Sequence, residues 1–422
     1  MLDIKFIREN AGAVKAAAKS KNIKVDIDKL LDLDKQRREF LKKIEDIKAE
    51  KNRASEKIPN LHAKNKEGVL KRMKELSAKE KTFSEELKKL SEELNYLLLW
   101  VPQIPSIECP IGETEKDYKV LKTWGKIPKF DFEPLDHVTL GEKLDLIDIP
   151  RGVKISGARN YFLKNEAVLL ENAVLRFTLD KLIEKGFTAF TPPTLVTDKA
   201  MIGTGYFPGG EEQAYRIEKD KLNLIGTSEV PVTSYHCDEI LDEKDLPKKY
   251  AGFSICFRRE AGTYGKDTHG LYRVHQFQKV EQVIVCKADP AFSRTMFEML
   301  MKNAEEILQA LELPYRVVAI CTGEMGQGQV YKNDIECWMP SRKSYGETHS
   351  CSMFYDFQAR RLGLRYRDAA GRVNFCHTLN NTCIASPRIL IPLMEIYQQK
   401  NGSIEIPKVL RPYMGKTKKI ML

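Results

Sequence analysis

The stretch Phe257-Arg-Arg-Glu260, joined by a loop with three glycines to Arg273-Val-His-Gln-Phe-Gln-Lys-Val-Glu281, decides how the central part of this chain folds. Side chains alternate between the two faces of a β-strand, so every second residue of each run shares a face. One face of the second run then carries Arg273, His275, Phe277, Lys279 and Glu281. With Arg258 and Glu260 on the first run, the pattern predicts an antiparallel hairpin that displays guanidinium groups, carboxylates and an aromatic ring on one surface.

Such a surface suits a nucleotide, because arginine binds phosphate, an aromatic face stacks on a base and a carboxylate accepts hydrogen bonds from an amine. The alternative is a solvent-facing strand with ordinary cross-strand ion pairs. Phe277 favours the nucleotide, because a single exposed aromatic ring among charges has little structural use. The hairpin is therefore a candidate nucleotide-binding surface.

Length and composition bound the number of domains and the kind of partner. The chain has 422 residues, which predicts two or three domains, and its formal net charge of +10 favours an anionic partner such as nucleic acid. Nine cysteines without a Cys-x-x-Cys pair indicate free thiols in a reducing cytoplasm, and no zinc site is expected. No run of about eighteen apolar residues occurs, so no membrane span is expected either.

Two segments near the N-terminus have the spacing of a coiled coil. Apolar positions step by three and four over residues 30–58 and again over residues 69–97. The two seams match in length and register, so that Phe40 would face Leu87 across a hairpin. This pattern predicts an antiparallel α-helical hairpin, with Asn65 as the N-cap of its second helix.

Charge is unevenly distributed along this hairpin. Its tip, residues 48–74, holds nine Lys or Arg and three acids, whereas its base is acidic. A solvated helical face is one explanation, but the segregation of sign favours a phosphate-binding tip. The candidate phosphate contacts are Lys57, Lys64, Lys71 and Arg72. The proline-containing segment 100–110 predicts the linker to a second domain.

Two patterns precede the nucleotide hairpin. Residues 166–185 have a strong helix pattern that Gly186 closes, and a short strand then leads to Pro193. Further along, a short Gly-Thr-Ser-Glu run places a hydroxyl and a carboxylate close together at Thr227 and Glu229.

A third pattern lies near the C-terminal end. A strand predicted over residues 374–385 is followed by Ser386-Pro387-Arg388, which opens a strongly apolar helix. Arg388 would then lie at a helix N-terminus, where backbone amides and a guanidinium group together favour a polyphosphate. This arginine is a second candidate for nucleotide binding.

These elements, in this order, resemble the three motifs of class II aminoacyl-tRNA synthetases, and their particular forms resemble the bacterial-type seryl-tRNA synthetases. The matching forms are Gly226-Thr-Ser-Glu229, Arg273-Val-His-Gln-Phe-x-Lys-Val-Glu281, Glu347-Thr-His-Ser350 and His377-Thr-Leu-Asn-Asn-Thr382. The resemblance covers essentially the whole chain. In place of the Gly-x-Gly of many class II members, the third motif has Ala385-Ser-Pro-Arg388, itself a seryl-type form.

The resemblance implies an α+β fold, with an antiparallel coiled-coil arm in residues 1–105 and a class II catalytic domain, an antiparallel β-sheet flanked by helices, in residues 106–422. It implies catalytic roles for Arg258 and Arg388, with Arg388 across the adenine from Phe277. The implied ATP-binding residues are Arg258, Arg259, Glu260, Val274, Phe277, Glu347, Thr348, His349, Ser350 and Arg388. The implied serine-binding residues are Thr227, Ser228, Glu229, Glu281 and Thr382, and the implied magnesium ligands are Glu347 and Ser350.

The implied reaction is activation of L-serine with ATP to seryl-adenylate and pyrophosphate, followed by transfer of serine to the 3′ end of the serine tRNA. The family also implies the same transfer to the selenocysteine tRNA where that tRNA exists. The basic tip would bind the long variable arm of the tRNA. The helix and strand ending at Pro193 resemble the family's dimer-forming motif, which implies a homodimer.

Two other classes of protein stay open from the residues alone. An amino acid:carrier-protein ligase could use the same catalytic domain but should lack the tRNA-binding arm. A non-enzymatic coiled-coil RNA-binding protein would not need Arg258, Glu281 and Arg388 together. His275 and His349 invite general-base roles, although an oriented hydrogen-bonding histidine is the simpler explanation for both.

Overall fold

The computed structural model describes residues 1–60, 63–262 and 269–421, and of residues 60, 63 and 64 the backbone alone. The chain divides into two compact units, Met1–Pro102 and Gln103–Leu422. Within the described part of the chain, no helix is long and apolar enough to cross a membrane.

The first unit is helical. Its α-helices, within the described residues, are α1 (Ile4–Glu9), α2 (Ala11–Ser20), α3 (Ile27–Lys57) and α4 (Ala63–Trp100). Asp26 caps α3, because its side chain accepts a hydrogen bond of 2.9 Å from the backbone N–H of Lys29. The predicted hairpin is confirmed, but the predicted N-cap is wrong, since α4 begins at Ala63 and Asn65 lies inside it.

The contact between α3 and α4 follows the predicted seams. Buried seam positions are Leu30, Leu33, Ile44 and Ile47 on α3, and Leu76 and Leu94 on α4. Phe40 packs edge to face against Phe83 with ring centroids 5.6 Å apart, one helical turn from the predicted partner Leu87. Lys51 interrupts the apolar seam and pairs with Glu80, with 2.9 Å between Nζ and Oε2. Apolar packing and this ion pair together hold the hairpin closed.

The cations predicted at the tip differ in their surroundings. Lys57 and Lys71 have exposed side chains, and neither forms an ion pair within the part of the chain that the structure describes. Arg72 is also half exposed, but its Nε lies 3.0 Å from a carboxylate oxygen of Glu50. The side chain of Lys64 lies outside the described residues. Two lysines of the tip are therefore available to an anion without breaking a contact of the arm.

The second unit is an α+β domain. Its helices are α5 (His137–Lys143), α6 (Ile149–Ser156), α7 (Asn165–Glu184), α8 (Asp198–Thr204), α9 (Glu229–Thr233), α10 (Pro290–Ala310), α11 (Phe357–Leu362) and α12 (Leu390–Tyr397). Its strands are β1 (Lys119–Trp124), β2 (Ile147–Asp148), β3 (Phe162–Leu163), β4 (Thr188–Phe190), β5 (Leu195–Thr197), β6 (Arg216–Ile217), β7 (Leu222–Leu224), β8 (Ile240–Asp242), β9 (Lys248–Phe257), β10 (Gln276–Cys286), β11 (Tyr315–Ala319), β12 (Tyr331–Met339), β13 (Ser344–Tyr355), β14 (Arg365–Arg367), β15 (Val373–Phe375), β16 (His377–Ala385), β17 (Ile404–Glu405) and β18 (Lys419–Ile420). The strand predicted over residues 374–385 is thus split into β15 and β16.

An eight-stranded sheet forms the centre of this unit, in the order β1-β11-β12-β13-β16-β10-β9-β4. Neighbouring strands are antiparallel except for β4 and β9, which run parallel. Phe177 of α7, Phe297 of α10 and Leu393 of α12 belong to one large apolar core together with sheet residues such as Ile284. The predicted fold class, an antiparallel sheet flanked by helices, is confirmed.

The predicted hairpin forms between β9 and β10, with Phe257 opposite Gln276. Its strands are shorter than predicted, because β9 ends at Phe257 and β10 begins only at Gln276. Arg273 and His275 therefore precede the strand, and strand alternation does not determine where their side chains point. The alternation does hold from Phe277 onward, and it places Lys279 and Glu281 on one face.

Candidate active site

Two adjoining cavities open beside the ends of β9 and β10, and the larger has a volume of about 420 Å³. Both are lined by Arg258, Glu260, Arg273, Glu347 and Arg388. The smaller cavity continues to Phe277, Lys279 and Thr382. These residues come from the β9–β10 hairpin, from β13, and from β16 with the turn before α12. The structure thus brings together the segments that the sequence singled out.

Arg258 lies over the aromatic ring of this site. Its guanidinium carbon is 5.3 Å from the ring centroid of Phe277. Its Nε donates a 3.2 Å hydrogen bond to the backbone carbonyl of Gly226, and this bond fixes the position of the side chain. His275 contacts the same residue through its Nδ1, 2.9 Å from the Arg258 carbonyl oxygen. His275 thereby orients the turn that carries Arg258.

Arg388 stacks on an aromatic ring that the sequence did not indicate, that of Tyr272. Its guanidinium carbon lies 4.4 Å from the ring centroid of Tyr272, and its Nε donates to the Tyr272 carbonyl at 3.2 Å. Its Nη1 donates to the carbonyl of Glu347 at 3.0 Å and lies 3.4 Å from a carboxylate oxygen of that residue. Arg388 is therefore tied to Tyr272 and Glu347 and borders the same cavity as Phe277.

Glu347 keeps its negative charge at neutral pH. Burial acts to raise the pKa of its carboxyl group, but nearby cations outweigh burial and hold the pKa below its usual value. Those cations are Arg388, Lys332, Arg258 and Arg273, in decreasing order of effect. A carboxylate that stays ionised among arginines is suited to hold a metal ion beside a polyphosphate.

A β-bulge in β13 brings Glu347 onto the same face as Ser350. Ser350 lies opposite Asp334 of β12 and Glu347 lies opposite Glu336, and the register shifts between these two pairs. Because Asp334 and Glu336 are two residues apart on β12, they share a face, and so do their partners. The two predicted magnesium ligands thus face the same way although they are three residues apart.

The side chains of the two residues between them, Thr348 and His349, form hydrogen bonds within the sheet. Thr348 borders the smaller cavity but donates its hydroxyl to the Ile335 carbonyl at 3.2 Å. His349 is buried, and burial lowers its pKa to about 4, so its ring is neutral at physiological pH. Its Nδ1 lies 2.7 Å from the Thr348 hydroxyl oxygen. The buried ring of His349 is thus oriented by a hydrogen bond to Thr348.

The remaining predicted ATP-binding residues divide between the cavity and the surface. Val274 is buried and lines the smaller cavity. Glu260 pairs with Arg273, with 2.9 Å between Oε2 and Nη1, and both line the cavity. Arg259 does not line either cavity, and its guanidinium lies 3.7 Å from Glu212. Only its backbone N–H, which donates to the Gln213 carbonyl at 3.0 Å, supports the loop beside the site.

Four polar side chains form a chain of contacts beside the smaller cavity, and two of them, Lys279 and Thr382, line it. Lys279 Nζ lies 2.6 Å from Thr227 Oγ1 and 2.6 Å from Glu281 Oε2. Thr382 donates its hydroxyl to the same oxygen of Glu281 at 3.2 Å. Glu281 and Thr382 are direct cross-strand partners on β10 and β16, which explains the contact. The cluster offers charged and hydroxyl groups to a small polar ligand.

Glu229 lies in the same buried region but has separate supports. Tyr206 donates its hydroxyl to Oε2 at 2.9 Å, and Gln358 of α11 donates its amide to Oε1 at 2.8 Å. Burial raises the pKa of Glu229 to about 7, and the charge of Glu281 adds to this shift. Its carboxyl group therefore changes charge near neutral pH, and a cationic ligand would favour the ionised form.

Ser228 is the predicted serine-binding residue that the structure directs elsewhere. It is fully buried, and its hydroxyl donates to the carbonyl of Gly252 on β9 at 3.0 Å. A Cβ on Gly252 would lie 2.8 Å from that hydroxyl oxygen, closer than such atoms approach each other. The contact fixes the Gly226-Thr-Ser-Glu229 turn on the sheet, while Thr227 and Glu229 of the same turn contact Lys279 and Gln358.

Lys279, Tyr206 and Gln358 contact predicted site residues but were not themselves predicted from the sequence as site residues. Lys279 carried a usable signal, because it shares a strand face with Phe277 and Glu281. Tyr206 and Gln358 carried none, because they are distant in sequence and reach Glu229 only through the packing of the Tyr206 loop and α11. Within the described residues, no group of three His, Cys, Asp or Glu side chains could hold a metal ion.

Comparison with known proteins places both units in one family. Residues 1–105 match the model of the seryl-tRNA synthetase N-terminal domain, and residues 214–397 match that of the tRNA synthetase class II core domain (G, H, P, S and T). A carrier-protein ligase without an arm and a non-enzymatic coiled-coil protein do not account for these two matches in one chain.

Individual relatives align over nearly the whole chain. The serine–tRNA ligase of Deinococcus radiodurans is 47% identical over 415 residues, which are 98% of each chain. The crystal structure of seryl-tRNA synthetase from Pyrococcus horikoshii complexed with ATP has a TM-score of 0.94 and 38% identity, covering 100% of this chain and 99% of that one. The cytoplasmic serine–tRNA ligase of Naegleria fowleri in complex with AMP has a TM-score of 0.89 and 33% identity, covering 100% and 99%. The chain therefore belongs to the seryl-tRNA synthetases, the class II ligases that use ATP to join serine to tRNA.

Proposed function

We propose that this cavity activates L-serine with ATP, and that residues 106–422 form the catalytic domain while the arm of residues 1–105 binds the serine tRNA. The observation that carries this assignment is the adjacency of two binding chemistries in one cavity. Arg258, Arg388 and Phe277 line the smaller cavity and suit a nucleoside triphosphate, and Glu281, in contact with the lining residues Lys279 and Thr382, suits an amino acid. An enzyme that charges tRNA acts where translation takes place, which for a bacterial-type synthetase is the cytoplasm.

The ATP-binding part of the proposal rests on charge and stacking. Phe277 offers a ring face to adenine, and Arg258 and Arg388 offer guanidinium groups to the phosphates. Both arginines are held by carbonyl groups, Gly226 for the first and Tyr272 for the second, so they are oriented before ATP arrives. Val274 and Glu260 complete the lining.

Magnesium fits the donor set of Glu347 and Ser350. Mg²⁺ prefers oxygen ligands and is usually bound by one or two protein groups together with substrate phosphates and water. Glu347 is ionised and shares a strand face with the Ser350 hydroxyl. When bound, the ion would neutralise phosphate charge. Arg388, 3.4 Å from the Glu347 carboxylate, would hold that carboxylate in place.

The serine-binding part of the proposal rests on the buried carboxylates. Glu281 and Glu229 suit the ammonium group of serine, and the hydroxyls of Thr227 and Thr382 suit its hydroxyl group. A pocket built to hydrogen-bond a hydroxyl rejects alanine, because alanine leaves buried polar groups unpaired. Ser228 supports this pocket through the backbone of β9 and does not contact serine.

The reaction needs no side-chain nucleophile. The serine carboxylate attacks the α-phosphorus of ATP in line, pyrophosphate leaves, and the seryl-adenylate then acylates the 3′-terminal adenosine of the tRNA. Arg258 and Arg388 stabilise the charge that develops on the phosphate oxygens, so the protein acts by positioning and electrostatics.

Serine-dependent ATP–pyrophosphate exchange tests the assignment of the pocket. The wild-type protein should catalyse it, and Glu281→Ala should lose it while ATP binding persists. Removing the buried partner of an ammonium group should cost on the order of 2–5 kcal/mol of transition-state stabilisation. The exposed Lys302→Ala on α10 is the control and should exchange normally. Near-normal exchange in Glu281→Ala would refute the assignment of the serine pocket.

The raised pKa of Glu229 predicts a pH dependence. The ionised carboxylate attracts the serine ammonium group, so binding should be strongest above the pKa of about 7 and weaken as pH falls below it. We expect the KM for serine to rise between pH 8 and pH 6, approaching about tenfold per pH unit at the acid end. Glu229→Gln should raise the KM throughout and flatten this profile. A wild-type profile with the same slope as that of Glu229→Gln would exclude Glu229 as the titrating group.

The arm is proposed to recruit the tRNA through its tip. Lys57 and Lys71 are exposed cations without an ion-pair partner among the described residues, and Arg72 already pairs with Glu50. A phosphate would therefore gain more from the two lysines than from Arg72. The groups proposed for adenylate formation all lie in Gln103–Leu422, so the arm should affect the tRNA step alone.

Replacing Lys57 and Lys71 with alanine should weaken tRNA binding and reduce the slope of log K against log salt by about one for each phosphate contact removed. Pyrophosphate exchange should stay at the wild-type rate. The matched control is Lys35→Ala with Lys88→Ala, two exposed lysines nearer the acidic base of the same arm. Equal losses of binding in both double variants would show that the tip is not a specific phosphate site.

The homodimer is proposed from an apolar surface around α7. Val168 and Leu169 of α7 are 38% and 51% exposed, and Ile155 and Phe162 nearby are 68% and 43% exposed. Val168, Ile155 and Phe162 line one groove together with Ile255 of β9. A contiguous apolar surface of this kind marks an interface more often than it marks free surface. Val168 and Leu169 lie in the helix that resembles part of the family's dimer-forming motif.

Ile155→Glu combined with Leu169→Glu should convert the dimer to a monomer, because two carboxylates would be buried in an apolar contact. Light scattering at micromolar concentration should give the mass of two 48.4 kDa chains for the wild type and of one for the variant. Lys302→Glu, a charge change on exposed α10, should stay dimeric. A monomeric wild type would contradict the proposal.

A further inference from the structure

We infer that Lys279 sets the direction of the hydrogen bonds in the serine pocket and is thereby the positioning residue for discrimination between serine and amino acids without a hydroxyl group. The inference rests on the proposed function and extends it to a residue that needs no contact with ATP. It follows from the contacts of a single buried amine.

Lys279 is an unusual side chain for its place. Only 3% of the residue is exposed, in the middle of β10, and Glu281 on the same strand face is 2% exposed. A lysine is almost never buried to this extent unless it is paired. Its Nζ is 2.6 Å from a carboxylate oxygen of Glu281 and 2.6 Å from the hydroxyl oxygen of Thr227. The amine therefore joins two elements, β10 and the turn before α9.

Its contact with Thr227 decides which way that hydroxyl points. An ammonium group can only donate, so Thr227 Oγ1 accepts from Lys279. The same oxygen also accepts from the backbone N–H of Glu229 at 3.2 Å. A hydroxyl oxygen has two lone pairs and one hydrogen, so both lone pairs are occupied. Thr227 can then act towards a ligand only as a donor.

Its contact with Glu281 leaves that residue with a free oxygen that can act towards a ligand only as a hydrogen-bond acceptor. Oε2 of Glu281 accepts from Lys279 and from the Thr382 hydroxyl at 3.2 Å. Within the described part of the chain, no donor reaches Oε1. A carboxylate accepts hydrogen bonds and does not donate them, so Oε1 is left as an acceptor for the ligand.

The pocket thus presents one fixed donor and one fixed acceptor at its base. A hydroxyl group can accept from Thr227 while it donates to another group, whereas a methyl group can do neither. Thr227 Oγ1 and Glu281 Oε2 each lie 2.6 Å from this amine, so without Lys279 the Thr227 hydrogen could turn towards the carboxylate instead of the ligand. Serine would then lose its donor, and alanine would leave no group unpaired. Discrimination, and not only affinity, depends on the amine.

The test is the ratio of kcat/KM for serine to that for alanine in pyrophosphate exchange. Lys279→Met keeps the length of the side chain and removes the donor. We expect the ratio to fall about 10- to 100-fold, the loss of one recognised hydroxyl group, with the KM for ATP unchanged. Lys302→Met, on an exposed lysine of α10, is the control and should keep the wild-type ratio. A variant that loses activity on both amino acids equally would mean that Lys279 only stabilises the pocket.

A second comparison tests the route through Thr227. Thr227→Val should lower the same ratio, and adding Lys279→Met to it should change the ratio little further, because both changes remove one directed hydroxyl. Independent, multiplying effects would overturn the inference. If Lys279→Met does not fold, Thr227→Val alone still tests the route, and an unchanged serine-to-alanine ratio in that variant would overturn the inference.

These outcomes are separable from those of the proposed function. A wild-type protein without serine-dependent exchange would refute the proposed function. A wild type that exchanges normally, together with a Lys279→Met variant that keeps the serine-to-alanine ratio, would refute only the role of Lys279.

Discussion

The hydrogen-bonded ladder that holds β10 between β9 and β16 is the constraint on which the rest of the site depends. It sets Glu281 opposite Gly252 on one side and opposite Thr382 on the other. A shift of one residue in either pairing would move Lys279 and Glu281 to the far face of the sheet, where they could no longer contact Thr227 and Thr382. The absence of a side chain at Gly252 lets the turn with Ser228 and Thr227 lie directly on β9, within reach of Lys279.

Glu229 and Glu347 are the same residue type, but their surroundings shift their pKa values in opposite directions. Burial and the neighbouring charge of Glu281 raise the pKa of Glu229 to about 7. Glu347 is acted on by burial in the same direction, but four cations reverse the result and hold its pKa below the usual value. The charge of Glu229 therefore responds to a nearby cation, whereas Glu347 stays ionised at neutral pH beside Arg258 and Arg388.

The sequence predicted those parts of the molecule that follow a regular period. The two helical seams, the pairing of β9 with β10, and the shared face of Phe277, Lys279 and Glu281 are consequences of helical and strand repeats. Strand alternation failed at Arg273 and His275, because β10 begins only at Gln276. It could not show that Ser228 turns towards Gly252, since that direction is set by a tertiary contact.

Local sequence patterns could not predict the residues that hold the site side chains in place. Gln358 and Tyr206 hold Glu229 from two separate segments, and only the packed domain brings them together. The partner of Arg388 was likewise a property of packing: Tyr272 lies in the turn before β10, and its carbonyl and ring both face that guanidinium. Periodicity describes the face of an element, whereas a binding pocket is made where several faces meet.

The bulge in β13 changes how its sequence should be compared with others. Glu347 and Ser350 are separated by two residues, yet they face the same way because Thr348 and His349 together oppose one position of β12. A regular strand would achieve the same pairing with Glu and Ser only two positions apart. A chain that lacked one of the intervening residues would thus present the same carboxylate and hydroxyl on one face, although a comparison by position would score it as a disrupted motif. Spacing along the chain is therefore a poor guide to whether this pair is present in a distant relative, and the opposing pair on the neighbouring strand is the better one.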